Sequence, residues 1–327
     1  MSGASGAAAR ARLGPDRWHF QHGPIDLIID VEAELDAGAH AIADCWRQFQ
    51  AVLPALVQEL AELRRPLRTR PALRGPVARR MVRACAPFAG ERFITPMAAV
   101  AGAVADQLIA AFDRPGVTRA CINNGGDIAL LLSPGARYRV GICSELDGCA
   151  APAAHGVPLS GVFTVGDDTP VRGIATSGWR GRSFSLGIAD SVTVLAANAA
   201  AADAAATMIA NAVNCDHPGI GRRPADELKD DTDLGALLVT VEVPPLPATC
   251  IAAALASGRA EAAHWRNRGL IHAAAMFLQG QVELLLPRES GDFAARSGAV
   301  LFAPAVAEPA VAEPAVAEPA VVETATA

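Results

Sequence analysis

The 327-residue chain carries 28 basic and 34 acidic residues, a formal net charge of −6, and 51% hydrophobic residues. That is ample for a buried core, and no apolar run reaches the roughly 20 residues a membrane-spanning helix needs, so neither a disordered chain nor a membrane-embedded one is expected. Aromatics at 5% and the negative charge exclude a sequence-independent nucleic-acid binder, which needs cationic and base-stacking surface.

Apart from Lys229 every basic residue is an arginine. Anion binding therefore falls to arginine, and neither a lysine Schiff base nor a Walker-type lysine at a glycine loop is available. The seven cysteines (Cys45, Cys85, Cys121, Cys143, Cys149, Cys215 and Cys250) are odd in number and form no CxxC pair. They read as reduced, mostly buried thiols rather than a disulfide or zinc framework. His155, His217, His264 and His272 show no zinc-hydrolase spacing. The amino terminus is rich in Ala, Gly and Arg without the apolar centre of a signal peptide, so a cytoplasmic protein is expected.

In chain order, residues 1–17 are small and polar and are expected to be flexible. The stretch Trp18 to Val31 alternates around Gly23-Pro24 as a strand or hairpin. From Asp36 to Leu63 apolar residues recur at helical spacing, with Pro54 predicted to kink or split the helix. Arg64 to Arg83 is arginine-rich and broken by proline; it reads as a solvated connector and helix face, or as an anion-attracting rim. Thr95-Pro96 has the form of an N-cap followed by proline, opening a helix to Phe112 whose Ala98, Ala99, Ala101, Gly102, Ala103 and Ala105 permit close approach of another backbone or a flat ligand. Apolar β-type runs then alternate with glycine turns at 120–122, 128–132, 138–143, 161–165, 171–175, 189–195 and 236–243. An alanine-rich helix (200–213), a second helix (249–265) and a hairpin (270–286) complete an α+β pattern, a layered fold with a mixed or antiparallel sheet and packed helices. A single domain over 18–300 follows. Residues 301–327 contain a five-residue Pro-Ala-Val-Ala-Glu repeat, too poor in bulky apolar groups to fold, and are expected to form a disordered tail.

Three clusters carry polar chemistry. Asn123-Asn124-Gly125-Gly126-Asp127 lies between two apolar strands, where paired glycines let main-chain N–H groups face a ligand. A hairpin turn with a satisfied Asp127 has the same sequence. Thr176-Ser177-Gly178-Trp179-Arg180-Gly181-Arg182-Ser183 combines hydroxyls, glycines and guanidinium groups, a mixture suited to phosphate or pyrophosphate; a solvated arginine turn is the alternative. Asp203 and Thr207 are an i,i+4 pair on one helix face, hard oxygen donors of the kind Mg²⁺ takes, although an acid in the first helical turn also serves the helix dipole.

Taken in order, the small-residue helix, the Asn-Gly-Gly-Asp turn, the Ala-Thr-Ser-Gly loop, the Ser191-Val192-Thr193-Val194 strand and the Ala202-Asp203-Ala204-Ala205-Ala206-Thr207 helix resemble the ApbE superfamily of FAD- and Mg²⁺-dependent protein flavinyltransferases. The resemblance spans about Ile94 to Val213. The compact segment from Ser183 to Asp190 is more similar to the uncharacterised UPF branch of methanogens and methanopterin-using bacteria. The resemblance implies a metal on the Asp203 carboxylate, the Thr207 hydroxyl and a backbone carbonyl at Ala101. It also implies FAD or FMN lined by Asn124, Gly125, Gly126, Asp127, Thr176, Ser177, Gly178, Arg180 and Arg182. The chain departs from the transferase pattern in two places. The His-Ile-Ile-Asp-Pro-x-Thr-Gly segment is absent from the gap Gly181 to Asp190, so no catalytic residue is assigned. The Lys-Gly-Tyr segment is replaced by small residues around Ala101 to Val104. Two functions follow from the resemblance. One is a protein that binds a phosphate-bearing cofactor with Mg²⁺ and retains FMN-transfer or pyrophosphate-cleaving activity. The other is a non-catalytic accessory protein of one-carbon or sulfur assimilation metabolism. The expected partners are a nucleotide-like small molecule, a protein partner and a second copy of the chain.

Overall fold

The computed structural model describes residues 6–69, 71–142 and 161–287, with a backbone strand at 301–303. Strands β1 (Ala9–Gly14), β2 (Arg17–His22) and β3 (Ile25–Ala33) come first, followed by helices α1 (Leu35–Gln58), α2 (Leu60–Leu63) and α3 (Pro76–Cys85). A 3₁₀ turn at Pro96–Ala99 leads into α4 (Val100–Ile109). Strands β4 (Val117–Asn124), β5 (Asp127–Leu132), β6 (Arg137–Ile142), β7 (Gly161–Gly166), β8 (Gly173–Ser177) and β9 (Ser191–Ala196) then precede α5 (Ala199–Ala212). The remainder is β10 (Gly221–Pro224), α6 (Ala225–Leu228), β11 (Leu238–Glu242), α7 (Ala248–Asn267), β12 (Ala273–Leu278), β13 (Gln281–Leu285) and β14 (Leu301–Ala303).

The main sheet has nine strands in the order β1-β2-β3-β4-β5-β8-β9-β12-β13. Every registered pair in it is antiparallel. Strand alternation gives it two apolar faces. Leu27, Ile29, Ala120, Ile122, Ala129, Ala175, Val192 and Val194 pack under the helices. Cys121, Ile128, Leu130, Ile174, Leu195 and Phe277 point the other way, onto Val140, Ile142, Phe163 and Val165 of a three-stranded sheet, β14-β7-β6. The result is helices, sheet and small sheet in three layers, the α+β architecture expected.

Several local expectations change. The first strand begins at Ala9, inside the segment expected to be flexible, because β1 pairs with β2 from Ala9↔Gln21 to Gly14↔Arg17. Likewise β14 pairs with β7 from Leu301↔Thr164 to Ala303↔Val162, at the start of the expected tail; residues 304–327 lie outside the described residues. Pro54 does not split its helix: α1 runs through it, held by the buried Phe49, Val52 and Leu56. The arginine-rich stretch contains α3, whose Val77, Ala78, Met81, Val82 and Cys85 are buried. The predicted N-cap is present, Thr95 accepting a hydrogen bond from the Met97 amide at 3.2 Å. The helix it opens is 3₁₀ for its first turn before α4 begins.

Small residues set the spacing of the layers around α5. A Cβ on Gly102 of α4 would stand 2.3 Å from the Ala199 carbonyl oxygen, and one on Gly173 of β8 would stand 1.9 Å from the Asn198 carbonyl carbon. The start of α5 is therefore wedged between α4 and β8 at backbone contact. Its amide groups are capped from two sides: Asn198 Oδ1 accepts from the Ala201 amide at 2.9 Å, while Asp106 of α4 accepts from Ala199 and Ala200 at 2.9 and 2.8 Å.

Candidate functional site

The Asn123–Asp127 motif is a two-residue hairpin turn between β4 and β5, with Asn124 paired to Asp127 across it. Gly125 and Gly126 have φ of +66° and +110°, a geometry that side chains resist, so the paired glycines are a requirement of the turn. The Gly126 amide donates to Asn123 Oδ1 at 2.8 Å, and the buried Asn124 donates through Nδ2 to the Ala101 carbonyl at 3.1 Å. The turn is thus tied to the first residues of α4.

Asp127 is what separates this turn from an ordinary hairpin. Its side chain is buried and its Oδ1 has no hydrogen-bond partner. A buried carboxylate oxygen left without a donor costs free energy that a folded chain ordinarily avoids. Burial is the main force holding the Asp127 carboxyl well above the usual carboxylate range; the neighbouring Asp203 charge adds to it, and a Thr176 backbone amide opposes it.

Asp203 lies on α5 in the second turn, four residues past the helix start, so it does not serve the dipole of the first turn; that position is served by Asn198 and Asp106. Its Oδ2 accepts the Gly102 amide of α4 at 3.0 Å. Burial pushes its pKa up to about 7, against the lowering effect of the Gly102 and Ala101 amides and with a contribution from the Asp106 charge. Asp203 and Thr207 are both half-buried while Ala202, Ala204, Ala205 and Ala206 around them are buried, so the pair forms one accessible stripe on an otherwise packed helix. The Thr207 hydroxyl donates to the Asp203 backbone carbonyl at 3.1 Å. That bond uses its proton and leaves oxygen lone pairs available.

The loop after β8 closes the same corner. Thr176 Oγ1 and Thr193 Oγ1 are hydrogen-bonded at 2.9 Å, and Ser177 ends the strand half-buried. Gly178 permits tight packing, since a Cβ there would meet the Asp190 carbonyl oxygen at 2.3 Å. Asp190 in turn accepts from the Trp179 indole at 3.3 Å and from the Gln279 amide at 2.5 Å. Arg180 stacks 4.9 Å over the Trp179 ring, and the exposed Arg182 reaches back to the hairpin turn, where a Cβ on Gly125 would lie 2.8 Å from its Nη1.

The structure therefore brings together the sequence-predicted residues Ala101, Asn124, Gly125, Gly126, Asp127, Thr176, Arg182, Asp203 and Thr207, with Ser177, Gly178 and Arg180 on the same loop. Composition and spacing gave no sign of Asp106 or Asp190, which act through backbone and indole contacts, nor of Asp233, which accepts the Thr95 hydroxyl beside the start of α4. The arrangement fits a hard divalent cation: two adjacent carboxylates lack compensating positive charge, one oxygen lacks a donor, and a hydroxyl and a carbonyl lie beside them. A guanidinium-rich loop at the rim suits phosphate oxygens. Among the described residues no group of three His, Cys, Asp or Glu side chains forms a metal cluster, which leaves hydroxyl, carbonyl and ligand oxygens to complete such a site. No helix among them is long and apolar enough to cross a membrane.

Comparison with known proteins identifies the family. Residues 8–284 match the family model described as AbpE bacteria. A UPF0280 protein of Methanothrix thermoacetophila is 33% identical over 179 residues, covering 52% of this chain and 68% of that protein. Those of Methanopyrus kandleri and Methanospirillum hungatei are each 40% identical, over 47% and 36% of this chain and 56% and 45% of theirs. The chain thus spans about half the length of these last two relatives. The ApbE protein of Thermotoga maritima aligns over 79% of this chain and 80% of its own at 16% identity, with a TM-score of 0.32, too weak a likeness to place one residue on another. On the family match and the Methanothrix relative, the chain belongs to the ApbE-like superfamily, in its UPF0280 branch.

Proposed function

We propose that this chain binds a phosphate-bearing cofactor, FAD or FMN, together with Mg²⁺ in the corner between the β4–β5 turn, the β8–β9 loop and α5, and that the activity of this site is pyrophosphate cleavage or FMN transfer. The observation that carries the reading is the buried Asp127 oxygen without a partner, set beside Asp203. Asp203, the Thr207 hydroxyl and the Ala101 carbonyl would hold the ion. When bound, the ion would stabilise charge developing on pyrophosphate oxygens. The chain's own residues supply the rest. Asn124 fixes the Ala101 carbonyl, Asp190 fixes the Trp179 side of the loop, and Arg180 and Arg182 offer fork-shaped donors to phosphate.

The Gly181 to Asp190 segment contains neither histidine nor proline, which favours a second reading in which the pocket binds but does not transfer and the chain serves as an accessory partner in one-carbon or sulfur metabolism. Calorimetric titration of metal-stripped protein with FAD, with and without Mg²⁺, separates these readings when FMN and AMP are measured in the same samples. Binding only with Mg²⁺ is expected. Product release supports the catalytic form, binding without products supports the accessory form, and no binding in either condition rejects the flavin site.

A further inference from the structure

Three of the four tryptophans are packed into the core: Trp18 and Trp46 lie against the apolar cluster under the helices, and Trp265 is fully buried in it. Trp179 belongs to neither apolar cluster. It stands two residues past the end of β8, half-buried, on the loop that closes the corner beside the β4–β5 turn. Tryptophan is favoured at binding surfaces because its apolar body and its N–H each take a partner.

The ring is held in place without a core around it. The Trp179 amide donates to the Ala189 carbonyl at 3.0 Å, and the indole Nε1 donates to Asp190 Oδ1 at 3.3 Å. Asp190 is itself anchored: its amide donates to the Phe277 carbonyl at 3.0 Å, and its Oδ2 accepts the Gln279 amide at 2.5 Å. Gln279 is the one non-glycine residue among those described with a positive φ, +46°, and its side chain bridges the Leu246 amide and the Pro244 carbonyl at 2.9 and 2.7 Å. The turn after β12 and the segment before α7 are thus tied to the carboxylate that fixes the indole. A ring fixed in this way loses little freedom when a ligand binds to it. Exposed Arg180 lies over the indole, its guanidinium carbon 4.9 Å from the ring centroid. An aromatic face and a guanidinium side by side match a ligand in which a planar ring and a phosphate are joined.

We propose that Trp179 is the ring-binding platform of this corner, stacking the planar heterocycle of a nucleotide while Arg180 turns its donors to the adjoining phosphate. This role rests on the cofactor reading above and adds to it the side chain that recognises the ring. Flavin and purine offer the same flat π-surface, so either ring of FAD satisfies the geometry, and ligands carrying one ring each tell them apart.

The test measures, by calorimetry, binding of pyrophosphate, ADP and FMN, each with Mg²⁺, to the full-length wild type, Trp179→Phe and Trp179→Leu, with circular dichroism confirming the native fold. Trp179→Leu should lose about tenfold or more in affinity for the ring-bearing ligands, the scale of one base stacked on an aromatic side chain, while pyrophosphate binds as it does to wild type. Trp179→Phe keeps an aromatic face and should retain most of the affinity. A loss confined to FMN assigns the platform to the flavin, and a loss confined to ADP assigns it to the purine. Independently of the leucine variant, the ring-bearing ligand should alter that part of the wild-type tryptophan emission which Trp179→Phe lacks; emission that does not respond overturns the platform even where the leucine variant does not fold. The platform is also overturned if Trp179→Leu binds FMN and ADP as wild type does, or if it loses pyrophosphate affinity to the same extent, which would make Trp179 a support of the loop. A wild type that binds none of the three ligands overturns the cofactor reading, and the platform with it.

Discussion

Asp203 concentrates the electrostatic cost of the site on one residue. Its folded pKa of about 7 lies above the ~3.9 of an exposed aspartate. The folded chain thus holds a proton that the unfolded chain has released, and stability contributed by protonated Asp203 is lost as pH rises from about 4 to about 7. Asp127 acts in the same direction, burial holding its carboxyl well above the usual carboxylate range. Metal-free wild type should therefore melt at a lower temperature at pH 8 than at pH 5, and Asp203→Asn, which keeps an acceptor for the Gly102 amide, should reduce that difference. A variant with the full wild-type pH dependence would show that Asp203 is not strained. At the rim, replacing both Arg180 and Arg182 by alanine should weaken binding of a pyrophosphate ligand by about 2–3 kcal/mol, the scale of charge-assisted hydrogen bonds. Calorimetry reads that loss, and an effect on melting temperature alone would make the loop a solvated turn.

Among the elements, α4 and α5 decide whether the site exists, because their contact places Asp203 against the Gly102 amide. Gly102→Ala would drive a methyl group into the Ala199 carbonyl. The expected cost is about 1–3 kcal/mol or more in urea unfolding, with loss of cofactor binding, as α5 is forced outward. Asp106→Ala removes the acceptor of two α5 amides and should cost about 1–2 kcal/mol; unchanged stability would mean that Asn198 caps the helix alone. Helices were legible where apolar spacing or a cap announces them, as at Thr95 and along the alanine run of α5. The behaviour of Pro54 was not, because the packing of Phe49, Val52 and Leu56 outweighs a local proline rule. For α3 the sequence showed a solvated helix face but not the buried side, because its arginines dominate the composition while five apolar residues carry its packing. Asp106 illustrates a further limit: a cap 93 residues from the amide it serves leaves no local pattern.

Across the whole molecule, strand alternation foretold a layered fold with a mixed or antiparallel sheet but not its strand order, since the β5 to β8 neighbour relation spans the small sheet inserted between them. That neighbour relation is what sets the hairpin turn after β4 beside the loop after β8. Ordered motifs along the sequence therefore supplied most of the residues that line this corner, and the nine-stranded sheet explains why they lie near one another. The unpartnered Asp127 oxygen was legible only in three dimensions, because an ordinary Asn-Gly-Gly-Asp hairpin with a satisfied carboxylate has the same sequence. The central claim is that this corner is a cation-dependent cofactor site, and thermal melting at pH 8 with Mg²⁺ and FAD, each alone and together, tests it most directly on wild type and Asp203→Asn. Both ligands together should raise the wild-type melting temperature by about 5 °C at concentrations well above their dissociation constants and leave Asp203→Asn unmoved. An equal rise in both proteins, or none in wild type, would contradict the account.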